Sequence, residues 1–297
     1  MKTTKTKGNF HQTLAPLLFL LPNILIFTTF IIIPLFRGLS MSFMDWGVFT
    51  SPKFVGLKNF LLLFKDQVFI ITLKNTIVYS ICAVLLLLVV SLLLALALSK
   101  NSIKGERMFR AVFYIPSLIS MVAVGISWRF ILGDEMGILN YVIRSLGGAR
   151  IPWLTNGPMA MMSVIAVTVW AGAGYYMVIF ISGLQAIPLE LYEAATIDGA
   201  NRWQEFWRIT LPLLKSTVLV VIVLSTIASF KAYELIVTMT KGGPGYSTKF
   251  IVQQVYEVAF IEDRMGYASA MSIVLMMIIG AFTLMQFKLS GKEAHYD

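Results

Sequence analysis

Charge is scarce in this 297-residue chain: Asp, Glu, Lys and Arg together make up 13%, about half of the quarter usual in soluble domains. Cysteine is nearly absent. Cys82 stands alone inside an apolar run, which excludes an intrachain disulfide and suits a small buried hydrophobe. The two histidines, His11 and His295, lie in polar stretches near the ends. They form no Cys/His cluster and no H-E-x-x-H pair to hold a metal. No G-x-x-x-x-G-K-[ST] loop occurs, so the chain cannot itself cradle nucleotide phosphates in the P-loop manner, and no constellation favours an intramembrane enzyme. The net charge of +9 is not gathered into a basic stripe interleaved with aromatics, which argues against nucleic acid and for membrane orientation.

What is abundant is apolar. Hydrophobic residues reach 58% and the mean hydropathy is +0.79, the range of an integral membrane protein. Runs of roughly 20 apolar residues, enough to cross a bilayer, occur at 14–36, 77–98, 111–132, 159–184, 218–236 and 267–287. The first is longer than a signal-peptide core and lacks a small-x-small cleavage site, so it is retained. The expected fold is all-α, polytopic, with six transmembrane helices. The expected organisation is a tail at 1–13, a permease-like membrane domain at 14–287 and a second tail at 288–297. Six spans put both termini on one side. Lys2, Lys5, Lys7, Lys100, Lys104, Arg107 and Arg110 crowd two short segments of that side, and the positive-inside rule makes it cytoplasmic.

The longest charged interval on that side includes about 188–212, between two apolar runs. Pro188 can open a short helix, because its missing N–H would be unpaired in a first turn. Asp198-Gly199 can stop it, since Gly accepts a left-handed conformation. Asn201 is placed to cap a second short helix, on which Trp203, Phe206, Trp207 and Thr210 recur at spacing three and four. Small residues at Ala194, Ala195 and Gly199, with Glu193 at their edge, leave a surface narrow enough to enter a partner's groove.

Glu193-Ala194-Ala195, then Gly199, then Ile209-x-Leu211-Pro212 resembles the EAA loop in the membrane subunits of binding-protein-dependent ABC importers. Lys215-Ser216 departs from it, standing where many relatives carry a second proline. The resemblance implies that Glu193, Ala194, Ala195, Asp198, Gly199, Ile209, Leu211 and Pro212 couple the chain to an ATPase. Other stretches are similar to the maltose-type, larger-subunit branch of carbohydrate importers. They are Pro34-Leu35-Phe36 through Ser42-Phe43, Phe54 to Phe60, Arg110 to Pro116, the W-x-G-x-x-Y pattern beginning at Trp170, Thr240 to Pro244, and Gly266 to Ala270. Pro116 should kink the third span.

Two further regions carry alternatives. In the outer loop 37–75, Phe43, Trp46 and Phe49 and the amphipathic piece 54–64 with Lys53, Lys58 and Lys65 suit an interfacial anchor in lipid or a contact for an external partner. In the fourth span, Trp170, Gly172, Gly174, Tyr175 and Tyr176 suit either close helix packing or a pathway wall on which tyrosine presents a flat face to a sugar ring. Ser225 and Ser229 of the fifth span, and Lys231, Tyr233 and Glu234 near its outer end, are further pathway candidates. Lys231 and Glu234, at i and i+3, would pair if one helix carried both.

The resemblance implies a permease subunit of an ATP-driven sugar importer, moving an oligosaccharide by alternating access. Its implied partners are a second homologous permease, two ATPase subunits or copies and an extracytoplasmic solute-binding protein. No cofactor binds this chain; ATP and Mg belong to the ATPase partners. The competing readings are an ABC permease for another solute such as a polyol phosphate, and an ion-coupled carrier. A carrier would show acidic relays or inverted repeats of broken helices.

Overall fold

The computed structural model describes residues 10–99 and 105–290, with side chains described for 18–99 and 105–289. Lys2, Lys5, Lys7, Lys100 and Lys104, on which the orientation reading leans, lie outside the described residues, as does most of each tail.

The chain begins with α1 (Phe10–Phe27), a π-turn (Thr28–Ile32) and α2 (Ile33–Ser42). A two-stranded hairpin, β1 (Met44–Asp45) with β2 (Lys53–Phe54), and the short α3 (Lys58–Leu63) lead into α4 (Gln67–Leu98). The piece expected at 54–64 is therefore a strand end and one short helix. After α5 (Glu106–Tyr114) and a 3₁₀ turn (Ile115–Leu118) come α6 (Met121–Ile131), α7 (Ile138–Ser145) and the long α8 (Gly157–Gln185). Then follow α9 (Leu189–Ile197), α10 (Arg202–Glu205), a second π-turn (Phe206–Thr210), α11 (Leu211–Leu213) and α12 (Lys215–Phe230). The last three helices are α13 (Glu234–Met239), α14 (Ile251–Phe260) and α15 (Met265–Ser290).

Among the described residues, four helices are long and apolar enough to cross a membrane: Leu18–Ser42, Gln67–Leu98, Gly157–Gln185 and Met265–Leu289. Two bent pairs raise the number to six if each is one span. The first pair turns by 97° between Leu118 and Met121, the second by 65° between Leu213 and Lys215. The first bend falls beyond Pro116, where the kink was expected, and is sharper than a kink. Pro116 sits in the 3₁₀ turn; after that turn Ile119 and Ser120 adopt extended ψ values of 138° and 132°, and helix α6 has to restart. Both π-turns end two positions before a proline, Pro34 and Pro212. In each, an N–H reaches back five residues, Ile33 to the Thr28 carbonyl and Leu211 to the Phe206 carbonyl. The wider turn makes room where a proline ring would press on the preceding turn.

Helices α4 and α8 form the axis and run parallel: Tyr79 meets Thr168 at 2.9 Å and Leu87 packs over Gly172. Buried Leu87, Tyr176, Met177, Phe180 and Val221 fill one end of this axis, and Tyr79, Val124, Val164, Ile236 and Phe250 the other. A third cluster around Leu63, Phe69, Ile251 and Met271 binds α14 and α15 to α4. Gly174 lets the backbone of Phe113 and Tyr114 lie directly on α8. Cys82 is exposed on α4, contrary to the expectation of burial. Position 82 falls on the side of α4 that this chain leaves uncovered, and an apolar membrane helix can offer such a side to lipid.

Candidate functional site

At the end of the bundle where α4 and α8 both finish, the chain turns outward into α9 and α10. Pro188 is the residue just before α9, with φ −58° and ψ 132°, one position earlier than a first helical turn. The helix ends as expected. Gly199 is left-handed at φ +77°, its N–H donates to the Thr196 carbonyl at 3.1 Å, and the Ala200 N–H donates to the Ala195 carbonyl at 2.9 Å. This pair satisfies the last carbonyls of α9 and fixes the direction in which the chain leaves it. Asn201 then caps α10. Its Oδ1 accepts from the Gln204 N–H at 2.9 Å and the Gln204 Oε1 accepts from the Asn201 N–H at 2.9 Å, a reciprocal box.

The α9–α10 unit is bare on its outer side. Glu193, Ala194, Asp198 and Gly199 are exposed, Ala195 is half-buried, and no residue of α9 is buried. Ile197 is 86% and Trp203 70% exposed. A side chain added at Gly199 would meet nothing. Such apolar and aromatic exposure beside the Glu193 and Asp198 carboxylates has the composition of a contact surface. Trp203, Phe206 and Trp207 gather as expected, with ring centroids 5.3–6.4 Å apart. Thr210 leaves that face: the extra residue of the π-turn rotates it inward, where it is buried. Ile209 and Leu211 are half-buried and Pro212 is exposed where the chain re-enters the bundle.

The pathway candidates divide. Trp170 and Tyr175 are 45% and 43% exposed, Trp170 edge-on to Trp128 at 5.4 Å and Tyr175 edge-on to Tyr176 at 5.2 Å. Gly172 is a packing residue, since a methyl group there would press on Leu87. Ser225 and Ser229 are buried within this subunit, and Ser225 donates to the Val221 carbonyl at 2.6 Å. Burial of both residues sets these hydroxyls in the interior of this chain. The helical pairing of Lys231 with Glu234 is also overturned. Helix α12 ends at Phe230 and α13 starts at Glu234, so one helix does not carry both, and among the described residues no ion pair joins them. Lys231 and Glu234 remain exposed at the break, beside Tyr233, whose ring lies 5.8 Å from Tyr256. Backbone unwound between two helix ends is tolerated at membrane depth where it lines a wet cavity.

Residue-by-residue reading missed three connections. Lys249 Nζ meets Glu257 Oε2 at 2.5 Å, Asp263 accepts from the Val48 N–H at 2.6 Å across 215 positions, and the Tyr192 and Thr210 hydroxyls meet at 2.9 Å. None has a helical spacing. A left-handed Asp263 at φ +55° is a backbone fact that no motif announces.

The pattern of the family described as “Binding-protein-dependent transport system inner membrane component” matches residues 88–291. The chain belongs to this family. It is therefore a permease subunit of a binding-protein-dependent ABC import system, a multi-pass membrane component and not an enzyme. It is 37% identical to the probable ABC transporter permease protein YurN of Bacillus subtilis (strain 168), over 95% of this chain and 99% of that one. It is 34% identical to the sn-glycerol-3-phosphate transport system permease protein UgpA of Agrobacterium fabrum, over 97% and 98%. It is likewise 34% identical to the arabinooligosaccharides transport system permease protein AraP of Bacillus subtilis (strain 168), over 95% and 90%. Among solved structures, a chain of a bacterial ABC transporter involved in the import of the acidic polysaccharide alginate superimposes with a TM-score of 0.85 at 26% identity, covering 96% of this chain and 98% of that one. The alginate transporter in complex with alginate pentasaccharide-bound periplasmic protein gives 0.83 at 26% identity, over 94% and 95%.

Proposed function

We propose that this permease subunit moves an oligosaccharide inward by alternating access, and that residues 188–212 are its coupling loop. The observation that carries the reading is the exposed α9–α10 unit. Glu193, Ala194, Ala195, Asp198 and Gly199 form a narrow surface that the chain itself leaves uncovered, while Ile209, Leu211 and Pro212 return the chain to the bundle. Arabinooligosaccharides and alginate in the names of relatives and structural neighbours support a sugar as solute. Carbohydrate-type motifs along the chain point the same way.

In this reading the permease domain spans 14–287. Both termini and the coupling loop face the cytoplasm, and a second, homologous permease completes the pathway. Two ATPase subunits or copies receive the loops and carry ATP and Mg. A solute-binding protein outside delivers the sugar. Closure of the ATPases on ATP pushes α9, and the bundle turns from inward-facing to outward-facing. Trp170, Tyr175, Lys231, Tyr233 and Glu234 border the path, offering aromatic faces for sugar rings and polar groups for hydroxyls. Gly172, Ser225 and Ser229 hold the helices that carry them.

The test uses the complex purified through a tag on this chain. ATP hydrolysis is measured with binding protein loaded from a panel of α-glucan, arabinan and alginate oligosaccharides and sn-glycerol 3-phosphate. Stimulation by an oligosaccharide, lost in Glu193→Lys, is the expected result. Stimulation by the glycerol phosphate alone would overturn the solute, and full stimulation of Glu193→Lys would overturn the coupling loop.

A further inference from the structure

We propose that the Tyr192 and Thr210 hydroxyls form a strut that carries movement of α9 into the fifth span, which makes Tyr192 a positioning residue for coupling. The inference rests on the reading of 188–212 as the coupling loop and adds to it the element through which the loop acts.

Helix α9 stands off from the bundle. A groove of about 1250 Å³ runs between it and the ends of α4 and α8, with Leu96, Leu184, Tyr192, Glu205, Phe206 and Thr210 among its walls. No residue of α9 is buried, and only Tyr192 and Ala195 are half-buried. A helix so placed is held by its two ends and by whatever crosses the gap. Tyr192 crosses it. Its hydroxyl meets Thr210 Oγ1 at 2.9 Å, the one side-chain hydrogen bond from α9 to another element among the described residues.

Thr210 is a suitable receiver. It is 5% exposed, and its hydroxyl donates to the Glu205 carbonyl at 3.4 Å, which leaves a lone pair to accept the Tyr192 proton. It closes the π-turn and directly precedes Leu211-Pro212, from which the chain bends by 65° into α12 past the fully buried Leu214. A push on α9 thus reaches the bend of the fifth span through two hydroxyl groups. The aromatic ring makes the arm rigid, with two rotatable torsions. A directional hydrogen bond resists sliding, as an apolar contact across an open groove would not.

The test separates the hydroxyls from the ring. Tyr192→Phe and Thr210→Val each delete one partner, Thr210→Ser keeps the hydroxyl, and the double variant deletes both. Complexes purified through this chain are compared for the ratio of ATP hydrolysis with and without binding protein, loaded with the oligosaccharide that best stimulates the unmodified complex. Each single deletion should lower the ratio about five-fold, the loss of one ordinary hydrogen bond. The double variant should lower it no further, and Thr210→Ser should stay within about two-fold of the unmodified complex. A second readout needs no solute. Spin labels at Ile197→Cys and Ser216→Cys, in a Cys82→Ser background, should report one narrow distance that broadens in Tyr192→Phe and in Thr210→Val. An unchanged distance distribution would overturn the strut, and so would broadening with an unchanged ratio, which would leave a brace without a role in coupling. If Glu193→Lys abolishes stimulation while Tyr192→Phe does not, the strut fails and the coupling loop stands. If neither changes it, the loop reading fails as well.

Discussion

Lys249 and Glu257 meet at 2.5 Å at the opposite end of the bundle from α9, with side chains only 11% and 30% exposed. Gln253 donates to the same carboxylate at 2.9 Å and to the Lys241 carbonyl at 3.2 Å. Asn75 of α4 donates to the Tyr246 carbonyl at 2.6 Å and reaches the Lys249 carbonyl at 3.3 Å. The segment between α13 and α14 is thereby clasped both to α14 and to α4. Removing one member of a poorly solvated pair leaves an uncompensated charge, which costs about 3–5 kcal/mol when burial is complete and less here because Glu257 is partly wet. Glu257→Ala should lower the unfolding temperature of the purified subunit more than the double replacement Lys249→Met with Glu257→Leu. Equal losses in thermal unfolding would show that the pair is spectator chemistry.

Gly174 is expected to be intolerant. A Cβ there would overlap the Phe113 carbonyl and crowd the Tyr114 Cα, and backbone cannot move aside as a side-chain tip can. Gly174→Val should abolish assembly of the third span on α8, read as loss of monodisperse protein after extraction. Gly172→Ala presses on the Leu87 Cδ2 at 3.2 Å, with the Tyr176 Cε2 in ordinary contact at 3.7 Å, and should cost no more than the about 1–3 kcal/mol typical of mild overpacking.

The loop offers a contrast between local stability and docking. Asn201→Ala removes one half of the capping box and should cost about 1 kcal/mol of local stability, visible as faster amide exchange in α10. Gly199→Asp meets open space in this chain and pays only for a left-handed backbone, about 1 kcal/mol. Expression and membrane insertion should therefore survive Gly199→Asp, while retention of the ATPase and its stimulation by loaded binding protein are lost. Retention equal to the unmodified complex would contradict docking at this surface.

At the break between α12 and α13, Lys231→Ala and Glu234→Ala should act independently, because no ion pair joins the two residues and the helix ends between them. A double-mutant cycle on sugar uptake should be additive within about 0.5 kcal/mol. Tyr175→Ala should reduce uptake with assembly intact, whereas Ser225→Ala should leave uptake unchanged, its hydroxyl being occupied by the Val221 carbonyl. Coupling between Lys231 and Glu234, or an uptake defect in Ser225→Ala, would redraw the pathway wall.

The amino-acid sequence by itself determined the membrane class, the approximate spans and the two-helix form of the 188–212 unit. Each rests on a local rule: apolar length against bilayer thickness, Gly199 at a left-handed turn, Asn201 and Gln204 as a reciprocal cap, Pro116 and Pro212 as missing donors. Only the tertiary structure decided which polar residues meet and which are hidden. Ser225 looks like a pathway hydroxyl in sequence, yet the packing of α12 buries it. Lys231 and Glu234 have the spacing of a pair, yet the helix ends between them. Lys249 and Glu257, eight positions apart, do pair because the chain turns at Phe250 into α14. Tyr192 and Thr210 lie eighteen positions apart, and an extra residue in a π-turn rotates one hydroxyl toward the other. Spacing fixes direction only while a helix continues, and in this protein the contacts that spacing does not announce stand where helices break.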